Sequence, residues 1–356
     1  MNNYKVKGHP SKQTAIDPFR MVAAFLIVAI HTAPLSSFSK TADFLFSYCF
    51  ARIAVPFFLM VTGYFVLAPL IVKKGSSTNP QTNSSSYKVF WKGVKKTALL
   101  YLAATILYLP VNIYSGKLPS LKDLFKTLIF DGTFYHLWYL PAALLGMLLL
   151  FLLSQKCSSL AMLILCGALY FLGVCGDSWY GLASQLPPIR SFYDILFGIS
   201  SYTRNGIFYA PLFLLMGALI SRSQVRKRFD FVMISMIGTF CSLLLMLGEG
   251  FLTYTMEWQR HNSMYFSLIP CMFFLFRLLL CLPGKSSKPV RDATLLIYLL
   301  HPLVIILIRG FAKLTHLSAY LVENSLLHYL AVCVGSAAVA FILSLFIQKL
   351  PKRRLP

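Results

Sequence analysis

Residues 17–31 read DPFRMVAAFLIVAIH, an apolar run that follows an arginine and ends on a histidine. Similar runs recur along the whole chain of 356 residues, of which 57% are hydrophobic and only 12% are charged. About 20 apolar residues in a row are what an α-helix needs to cross the hydrocarbon core of a bilayer. The composition therefore excludes a largely disordered chain and indicates a membrane protein rather than a soluble enzyme.

The hydropathy pattern predicts an all-α, polytopic membrane protein with about ten transmembrane helices. Helices are expected because a helix satisfies its own backbone hydrogen bonds where no water is present. The predicted spans cover residues 18–36, 44–70, 94–115, 137–155, 159–176, 206–221, 231–248, 263–282, 293–312 and 327–348. No convincing internal repeat is present, which weakens the case for an inverted-repeat transporter.

The basic residues predict the orientation of the chain. There are 33 Lys and Arg against 11 Asp and Glu, a net charge of +22. Cytoplasmic loops of membrane proteins carry an excess of Lys and Arg. When the N-terminus is placed in the cytoplasm, 22 of the 33 basic residues fall on the cytoplasmic side. We therefore expect an even number of spans and two cytoplasmic termini, with the lipid bilayer rather than a nucleic acid accounting for the charge.

The remaining segments flank or interrupt the predicted membrane domain. Residues 1–17 are expected to form a cytoplasmic N-terminal segment, and residues 18–349 the transmembrane domain. Residues 73–87 read KKGSSTNPQTNSSSY, a composition that predicts a flexible cytoplasmic loop. Residues 350–356 read LPKRRLP, a basic cytoplasmic tail that is either a simple end or the junction to a soluble domain.

Motifs for metal or tightly bound cofactors are missing from the sequence. The eight cysteines lie mostly inside apolar runs without metal-binding spacing, and they are interpreted as small packing residues. No phosphate-binding glycine loop, zinc-protease motif or Ser/His/Asp arrangement is recognisable. The sequence thus predicts no metal site and no tightly bound cofactor.

The spacing of Arg20 and His31 is the most informative feature of the first span. Eleven helical steps turn about 1100°, roughly 20° past three full turns, so both side chains share one face about 16 Å apart along the axis. This arrangement suits a ligand with an anionic part in the cytoplasm and a reacting part deep in the membrane, where His31 acts as general base. The alternative is a snorkelling arginine and a structural histidine bonded to a neighbouring helix.

Further polar residues interrupt or border the predicted spans, and such residues are candidates for function in a membrane. They are Arg52 and Tyr64 in the second span, His136 and Trp138 at the start of the fourth, Arg204 and Asn205 before the sixth, and His301 in the ninth. Structural alternatives are snorkelling for Arg52, an interfacial aromatic belt for Trp138 and helix capping for Asn205. Pro302 frees a carbonyl one turn earlier, so His301 is either a ligand-binding or a satisfied structural residue.

Four blocks appear in order along the chain: Asp17…Arg20-x10-His31, RIAVPFFLMVTGYF (52–65), HLWYL (136–140) and IYLLHPLV (297–304). Together they resemble the acyltransferase-3 family of integral membrane O-acyltransferases, over essentially the whole chain. The chain is similar above all to a subset of that family, the membrane domains of membrane-bound serine racemases from vancomycin-resistance clusters. In those proteins a ten-span domain precedes a cytoplasmic racemase domain, and the basic tail 350–356 fits such a junction.

The resemblance implies that His31 is the catalytic histidine and Arg20 its partner near the acyl-CoA side. It also implies acyl-CoA as co-substrate and a small hydroxyl acceptor, in a bacterial plasma membrane. Acyl-CoA would enter from the cytoplasm with its phosphates near Arg20 and the lysines Lys92, Lys95 and Lys96.

Three hypotheses follow, and whether the chain is an active enzyme stays open among them. Arg52 and Tyr64 match the second block of the family, although Thr62 stands where serine is common, which favours an acyltransferase. The alternative is a binding and uptake module for L-serine, separated from its racemase domain, in which His31, Arg52 and His301 line the path. A third hypothesis is a membrane anchor for an attached enzyme, which would tolerate the loss of His31.

Overall fold

The computed structural model describes residues 14–73, 80–221 and 229–349. These residues contain no β-strand, so the predicted all-α class is confirmed for this part of the chain. The α-helices are α1 (Ile16–Thr32), α2 (Lys40–Asp43), α3 (Ala54–Thr62), α4 (Ala68–Lys73), α5 (Pro80–Tyr114), α6 (Leu121–Lys126), α7 (Tyr139–Lys156), α8 (Ser159–Cys175), α9 (Tyr180–Ala183), α10 (Pro187–Ile199), α11 (Ala210–Ile220), α12 (Phe229–Thr255), α13 (Leu268–Cys281), α14 (Lys288–Leu314) and α15 (Ser325–Lys349).

Among the described residues, six helices are long and apolar enough to cross a membrane. They are Lys40–Ile71, Ser84–Tyr114, Tyr139–Lys156, Phe229–Thr255, Lys288–Leu314 and Ser325–Phe346. Each predicted span overlaps a helix, but α1, α8, α11 and α13 have only 17, 17, 11 and 14 residues. The structure therefore supports a multi-pass membrane protein, whereas the count of ten spans and the sides of the termini stay predictions.

The outer helices expose large apolar side chains, as a lipid-facing surface does. Phe240 and Leu245 of α12 are 63% and 65% exposed, and Phe341 of α15 is 64% exposed. Such an extended apolar surface would be an aggregation hazard in water but is the ordinary outer face of a helical bundle in lipid. The lipid bilayer is thus the environment that this surface fits.

The second predicted span is a continuous but irregular helix from Lys40 to Ile71. It changes from π-helical turns at Phe44–Cys49 to a tight 3₁₀ turn at Phe50–Ile53, which carries Arg52. Pro56 follows one turn later and has no N–H to donate to the carbonyl of Arg52. The side chain of Arg52 is buried inside the protein, so it does not snorkel to the membrane surface.

Two glycines allow α3 and α11 to approach each other closely at the centre of the molecule. A Cβ on Gly217 would lie 2.1 Å from the carbonyl oxygen of Met60, and one on Gly63 would lie 1.9 Å from that of Leu214. Small residues permit this backbone contact between membrane helices, where dispersion rather than the hydrophobic effect drives packing. Most residues of α11 are buried, and its neighbours include α3, α4, α7 and α8.

The predicted flexible loop 73–87 requires a correction. Helix α5 begins at Pro80, so residues 80–87 are helical and continue directly into the third predicted span. A proline at the first helical position is favourable because its missing N–H would have no partner there. Residues 74–79 and 350–356 lie outside the described residues, and the division of the chain into segments stays a prediction.

Candidate functional site

A cavity of about 620 Å³ runs beside α1 and collects many of the polar residues singled out in the sequence. Its polar lining includes Asp17, Arg20, His31, Arg52, Thr62, Tyr64, Lys96, Thr97, His136, Trp138, Tyr139, Arg204, Ser286, Arg291, Asp292, Thr294 and Tyr298. Apolar walls with a few convergent polar groups are typical of small-molecule sites. Cations outnumber carboxylates in this lining, so the cavity favours an anionic ligand.

Helix α1 places Arg20 and His31 on the same wall of the cavity. Ile27 lies between them on that wall, because residues i, i+7 and i+11 of a helix point in nearly the same direction. The adjacent face of α1, with Ala24 and Val28 turned about 40° and 80° from Arg20 around the helix, packs against residues of α14 and α15. The shared face predicted from the spacing is confirmed, and the catalytic role of His31 stays a prediction.

An ionic cluster around Asp17 borders the cavity at the N-terminal end of α1. The Oδ1 atom of Asp17 accepts a hydrogen bond from Nε of Arg20 at 2.9 Å, and its Oδ2 accepts one from Nη1 of Arg291 at 2.6 Å. The hydroxyl of Ser286 and the backbone N–H of Ser287 donate to the same Oδ2 at 3.0 Å each. One carboxylate thus orients two guanidinium groups and leaves this end of the cavity positively charged.

Only one of the three lysines predicted at an acyl-CoA entrance lines the cavity, because successive residues of α5 point in different directions. Lys96 lines the cavity together with Gly93 and Leu100 at i−3 and i+4. Lys92 and Lys95 are turned about 40° and 100° from Lys96 around the helix, away from Gly93 and Leu100, and both are exposed. Lys96 therefore lines the cavity, whereas Lys92 and Lys95 lie on the neighbouring exposed surface of α5, and the acyl-CoA entrance stays a prediction.

Three histidines meet at the deep end of the α1 wall. The rings of His31 and His301 stack with centroids 5.3 Å apart, and the ring of His136 meets that of His301 edge-on, also at 5.3 Å. Tyr135 packs against His31 with a centroid distance of 4.9 Å. No group of three His, Cys, Asp or Glu side chains in the described part of the chain is arranged to hold a metal ion. The ring of His301 therefore joins the cluster, because it contacts the rings of both His31 and His136.

The orientation of His301 follows from the proline next to it. Pro302 cannot donate to the carbonyl of Tyr298, and Nδ1 of His301 occupies that oxygen at 2.9 Å and the carbonyl of Ile297 at 3.1 Å. Because a carbonyl only accepts, Nδ1 carries the proton and Nε2 is the acceptor. Nε2 is buried without a partner among the described residues. His301 lies behind His31 and His136 and does not itself line the cavity.

Two buried arginines approach the cavity near the C-terminal end of α1. Nη2 of Arg52 donates to Oδ1 of Asn262 at 2.6 Å. The guanidinium of Arg204 lies 4.9 Å from the ring centroid of Trp138 and 4.5 Å from that of Tyr202. Burial and the charge of Arg52 lower the pKa of Arg204 to about 10, so Arg204 is still a cation at neutral pH. This end of the cavity therefore carries two buried positive charges.

Asp177 fixes the loop that contacts both arginines. Its Oδ1 accepts hydrogen bonds from the backbone N–H groups of Ser263 at 2.7 Å and Met264 at 3.0 Å. Its Oδ2 lies 3.4 Å from Nδ1 of His261. Burial and the charge of Arg204 lower the pKa of His261 to about 4, so this imidazole is neutral at pH 7. The loop thereby presents Asn262 and Ser263, two neutral groups, to the two guanidinium groups.

Asn205 is a candidate for the site on sequence grounds, but its side chain does not line the cavity. Its Oδ1 accepts hydrogen bonds from the N–H groups of Ile207 and Phe208 at 2.9 and 3.1 Å, and its Nδ2 donates to Ser200 and Tyr202. The side chain is fully used within its own loop, which is the capping role weighed for it in the sequence. Its neighbour Arg204 and the aromatic residues Tyr64 and Trp138 do line the cavity.

Several residues of the site carry no local signal in the sequence. Arg291 counts in the sequence only as one more cytoplasmic charge, and Asn262 and Asp177 lie in connecting segments. Each of them meets its partner through tertiary contact, as the separation of 274 positions between Arg291 and Asp17 shows. All three lie outside the predicted spans, so the polar residues within the spans give no indication of them.

Comparison with known proteins shows what the chain is similar to. Residues 13–345 match the acyltransferase domain of the Acyl_transf_3 family. Two relatives from Enterococcus faecalis, each described as an amino-acid racemase, are 38% and 36% identical over 96% and 97% of this chain. A serine/alanine racemase from Enterococcus gallinarum is 37% identical over 91% of the chain.

The similarity covers only part of these relatives. The chain spans 46%, 48% and 45% of their lengths, which is about half of each. No solved structure matches the chain. The family is thus established by sequence. The relatives described as racemases are about twice as long as this chain.

Proposed function

The chain belongs to the acyltransferase-3 family, and from this premise we propose that it is an integral membrane acyltransferase. It moves an acyl group, in our proposal acetyl, from cytoplasmic acyl-CoA to a hydroxyl acceptor at or across the bacterial plasma membrane. The observation that carries the proposal is the single cavity that joins the Arg20 cluster at one end of α1 to His31 near the other. A long donor with a charged head and a reactive tip fits such a cavity.

The charged end of the cavity is assigned to the donor. Arg20, Arg291 and Lys96 provide three cations against the carboxylates of Asp17 and Asp292. The phosphates of acyl-CoA are recognised well by guanidinium groups, which offer several N–H donors in a fixed plane. The positive-inside pattern predicts that this end faces the cytoplasm, where acyl-CoA is found. The thioester then extends along the wall of α1 toward His31, about 16 Å from Arg20.

His31 is assigned the role of general base. It takes the proton of the acceptor hydroxyl while the oxygen forms a bond to the thioester carbonyl carbon. The bond from that carbon to sulfur then breaks, and the CoA thiolate leaves with the proton returned by His31. Arg52 and Arg204 lie close enough to His31 for their positive charges to act on the reacting groups. The products are an O-acylated acceptor and free CoA.

A second candidate function is the binding or uptake of L-serine. It is favoured by the relatives, one of which is described as a serine/alanine racemase and all of which are about twice as long as this chain. In this alternative the same cavity holds the amino acid, and a racemase domain follows in the full-length protein. A simple membrane anchor would need no cavity lined with buried cations.

Binding of acetyl-CoA and of L-serine to the purified protein tests the proposal, with His31→Asn compared to the wild type. We expect acetyl-CoA to bind, with a slow hydrolysis that falls by roughly a hundredfold or more in His31→Asn, because general-base catalysis contributes about 10²–10⁴-fold. The matched control is His316→Asn, since His316 is an exposed histidine outside the cavity wall. Binding of L-serine without any response to acetyl-CoA would instead establish the second candidate.

A further inference from the structure

Arg52 and Arg204 lack an anionic partner in the described part of the chain. Arg52 is only 6% exposed, and the Nε atoms of both arginines are buried with no hydrogen-bond partner there. Their other nitrogens contact neutral oxygens, at 2.6 Å for Asn262 and 3.4 Å for Ser263. A buried cation is costly unless it is paired, so two adjacent ones without a carboxylate are an incomplete arrangement.

The nearby acids are already engaged elsewhere. Asp177 accepts two backbone hydrogen bonds from the loop at Ser263 and faces His261. Asp131 accepts a hydrogen bond from the backbone N–H of Ser201 at 3.0 Å. The carboxylates that line the cavity, Asp17 and Asp292, lie at the ends where α1 and α14 begin, far from this region. Asp177 and Asp131 act on Arg204 through space, but among the described residues no carboxylate forms a salt bridge with Arg52 or Arg204.

The aromatic neighbours of the arginines leave their donor edges free for a ligand. The guanidinium of Arg204 lies against the rings of Trp138 and Tyr202, and that of Arg52 lies 5.3 Å from the ring centroid of Tyr48. A guanidinium held by its face keeps its N–H groups in a plane that matches a carboxylate or a phosphate. Both side chains line the cavity that contains His31.

We propose that Arg52 and Arg204 form an oxyanion-binding site, which holds a carboxylate or phosphate group of the acceptor while its hydroxyl faces His31. This proposal rests on the proposed acyl transfer only for the role of the bound molecule as acceptor. The site selects a small hydroxylated anion, such as a hydroxy amino acid or a sugar or polyol phosphate. Neutral alcohols of the same size leave the two cations unpaired and are excluded.

A panel of probes tests the site on the wild-type protein without any substitution. Calorimetric titration is carried out with L-serine, D-glycerate and glycerol 3-phosphate, and with glycerol as the neutral counterpart of D-glycerate and glycerol 3-phosphate. We expect at least one anion to bind roughly tenfold or more tightly than its neutral counterpart, the factor that one charged hydrogen bond contributes. Equal binding of anions and neutral compounds, or no binding of any anion, overturns the proposal.

Variants then assign the binding to the two arginines. Arg204→Gln and Arg52→Gln should each raise the Kd of the bound anion roughly tenfold or more, whereas Arg190→Gln, which removes an exposed arginine of α10, should leave it unchanged. Arg204→Lys is included because it keeps the charge if the glutamine variant fails to fold. An unchanged Kd in the folded variants of both arginines overturns the assignment.

The two proposals can fail independently in this experiment. Acetyl-CoA binding to the wild type reports on the donor end of the cavity alone. If acetyl-CoA binds and no anion does, the oxyanion site is wrong and acyl transfer stands. If an anion binds through Arg204 and acetyl-CoA does not bind, the oxyanion site stands and acyl transfer is wrong.

Discussion

Asp17 is the residue on which the charged end of the cavity depends. It is shared between Arg20 and Arg291 and also ties α1 to the loop before α14 through Ser286 and Ser287. The side chains of Asp17 and Arg20 are only 9% and 15% exposed, so their pairing is not fully screened by solvent. Removing the carboxylate leaves two partly buried cations next to each other.

We predict that Asp17→Asn destabilises the protein by roughly 1–3 kcal/mol, the cost of leaving buried charged groups without a partner. The measurement is the thermal unfolding of the detergent-purified variant. Asp194→Asn is the control, because Asp194 is an exposed acid on α10 and its loss should be close to neutral. An equal effect of the two substitutions would contradict the role assigned to Asp17.

Pro302 acts at the scale of the helix. Its ring interrupts the hydrogen-bond ladder of α14 at the turn where His301 must face the cluster, and the freed carbonyl of Tyr298 receives Nδ1 of His301. The hydroxyl of Tyr298 in turn donates to the backbone carbonyl of His136 at 2.9 Å. One irregular turn of α14 therefore positions two of the three rings of the cluster.

Restoring this turn should cost activity rather than stability. In Pro302→Ala the new N–H competes for the carbonyl of Tyr298 and releases His301, so acetyl-CoA hydrolysis should fall severalfold while the unfolding midpoint is unchanged or raised. Pro110→Ala is the matched control, because Pro110 also lies inside a helix but is exposed. Hydrolysis at the wild-type rate in Pro302→Ala would show that the orientation of His301 is not needed.

At the scale of the whole molecule, the segments between helices close the end of the cavity opposite Asp17. Asp131 binds the backbone of Ser201, and Asp177 binds the loop at Ser263. Arg260 joins two of these segments, since its N–H donates to the carbonyl of Asp177 and its guanidinium to that of Ser201. The arginines of the proposed oxyanion site are therefore held by loops that are themselves cross-linked.

The stability of the segment around Asp177 and His261 should depend on pH through the protonation of His261. Its pKa is lowered to about 4 in the folded protein, below its ordinary value of 6.5, so the unfolded chain binds more protons between these values. The contribution of His261 to stability is complete above pH 6.5 and is lost as the pH falls toward 4. We predict that His261→Gln reduces the slope of stability against pH in this window by up to about 1.4 kcal/mol per unit.

Unfolding midpoints across this pH window provide the measurement for His261→Gln. His316→Gln serves as the control, since His316 is an exposed histidine outside this segment. If both variants keep the slope of the wild type, the segment around Asp177 is not sensitive to the protonation of His261.

Features that act over a few residues or through composition can be predicted from the amino-acid sequence alone. The membrane class follows from apolar runs, and the shared face of Arg20 and His31 follows from the 3.6-residue period of α1. The influence of Pro302 on its own helix is equally local. The helical conformation of residues 80–87 is not predicted in this way, because a Ser- and Asn-rich segment has no apolar period that would indicate a helix.

Only the tertiary structure decided which of these residues meet. It joined Arg291 to Asp17, placed Arg52 and Arg204 at one end of a single cavity, and assigned Asn205 to its own loop. The physical reason is that lipid-facing and buried residues are both apolar, so hydropathy gives the helices but not the faces that pack together. Those faces are set by close contacts such as that of Gly217 with Met60, which no local pattern in the sequence encodes.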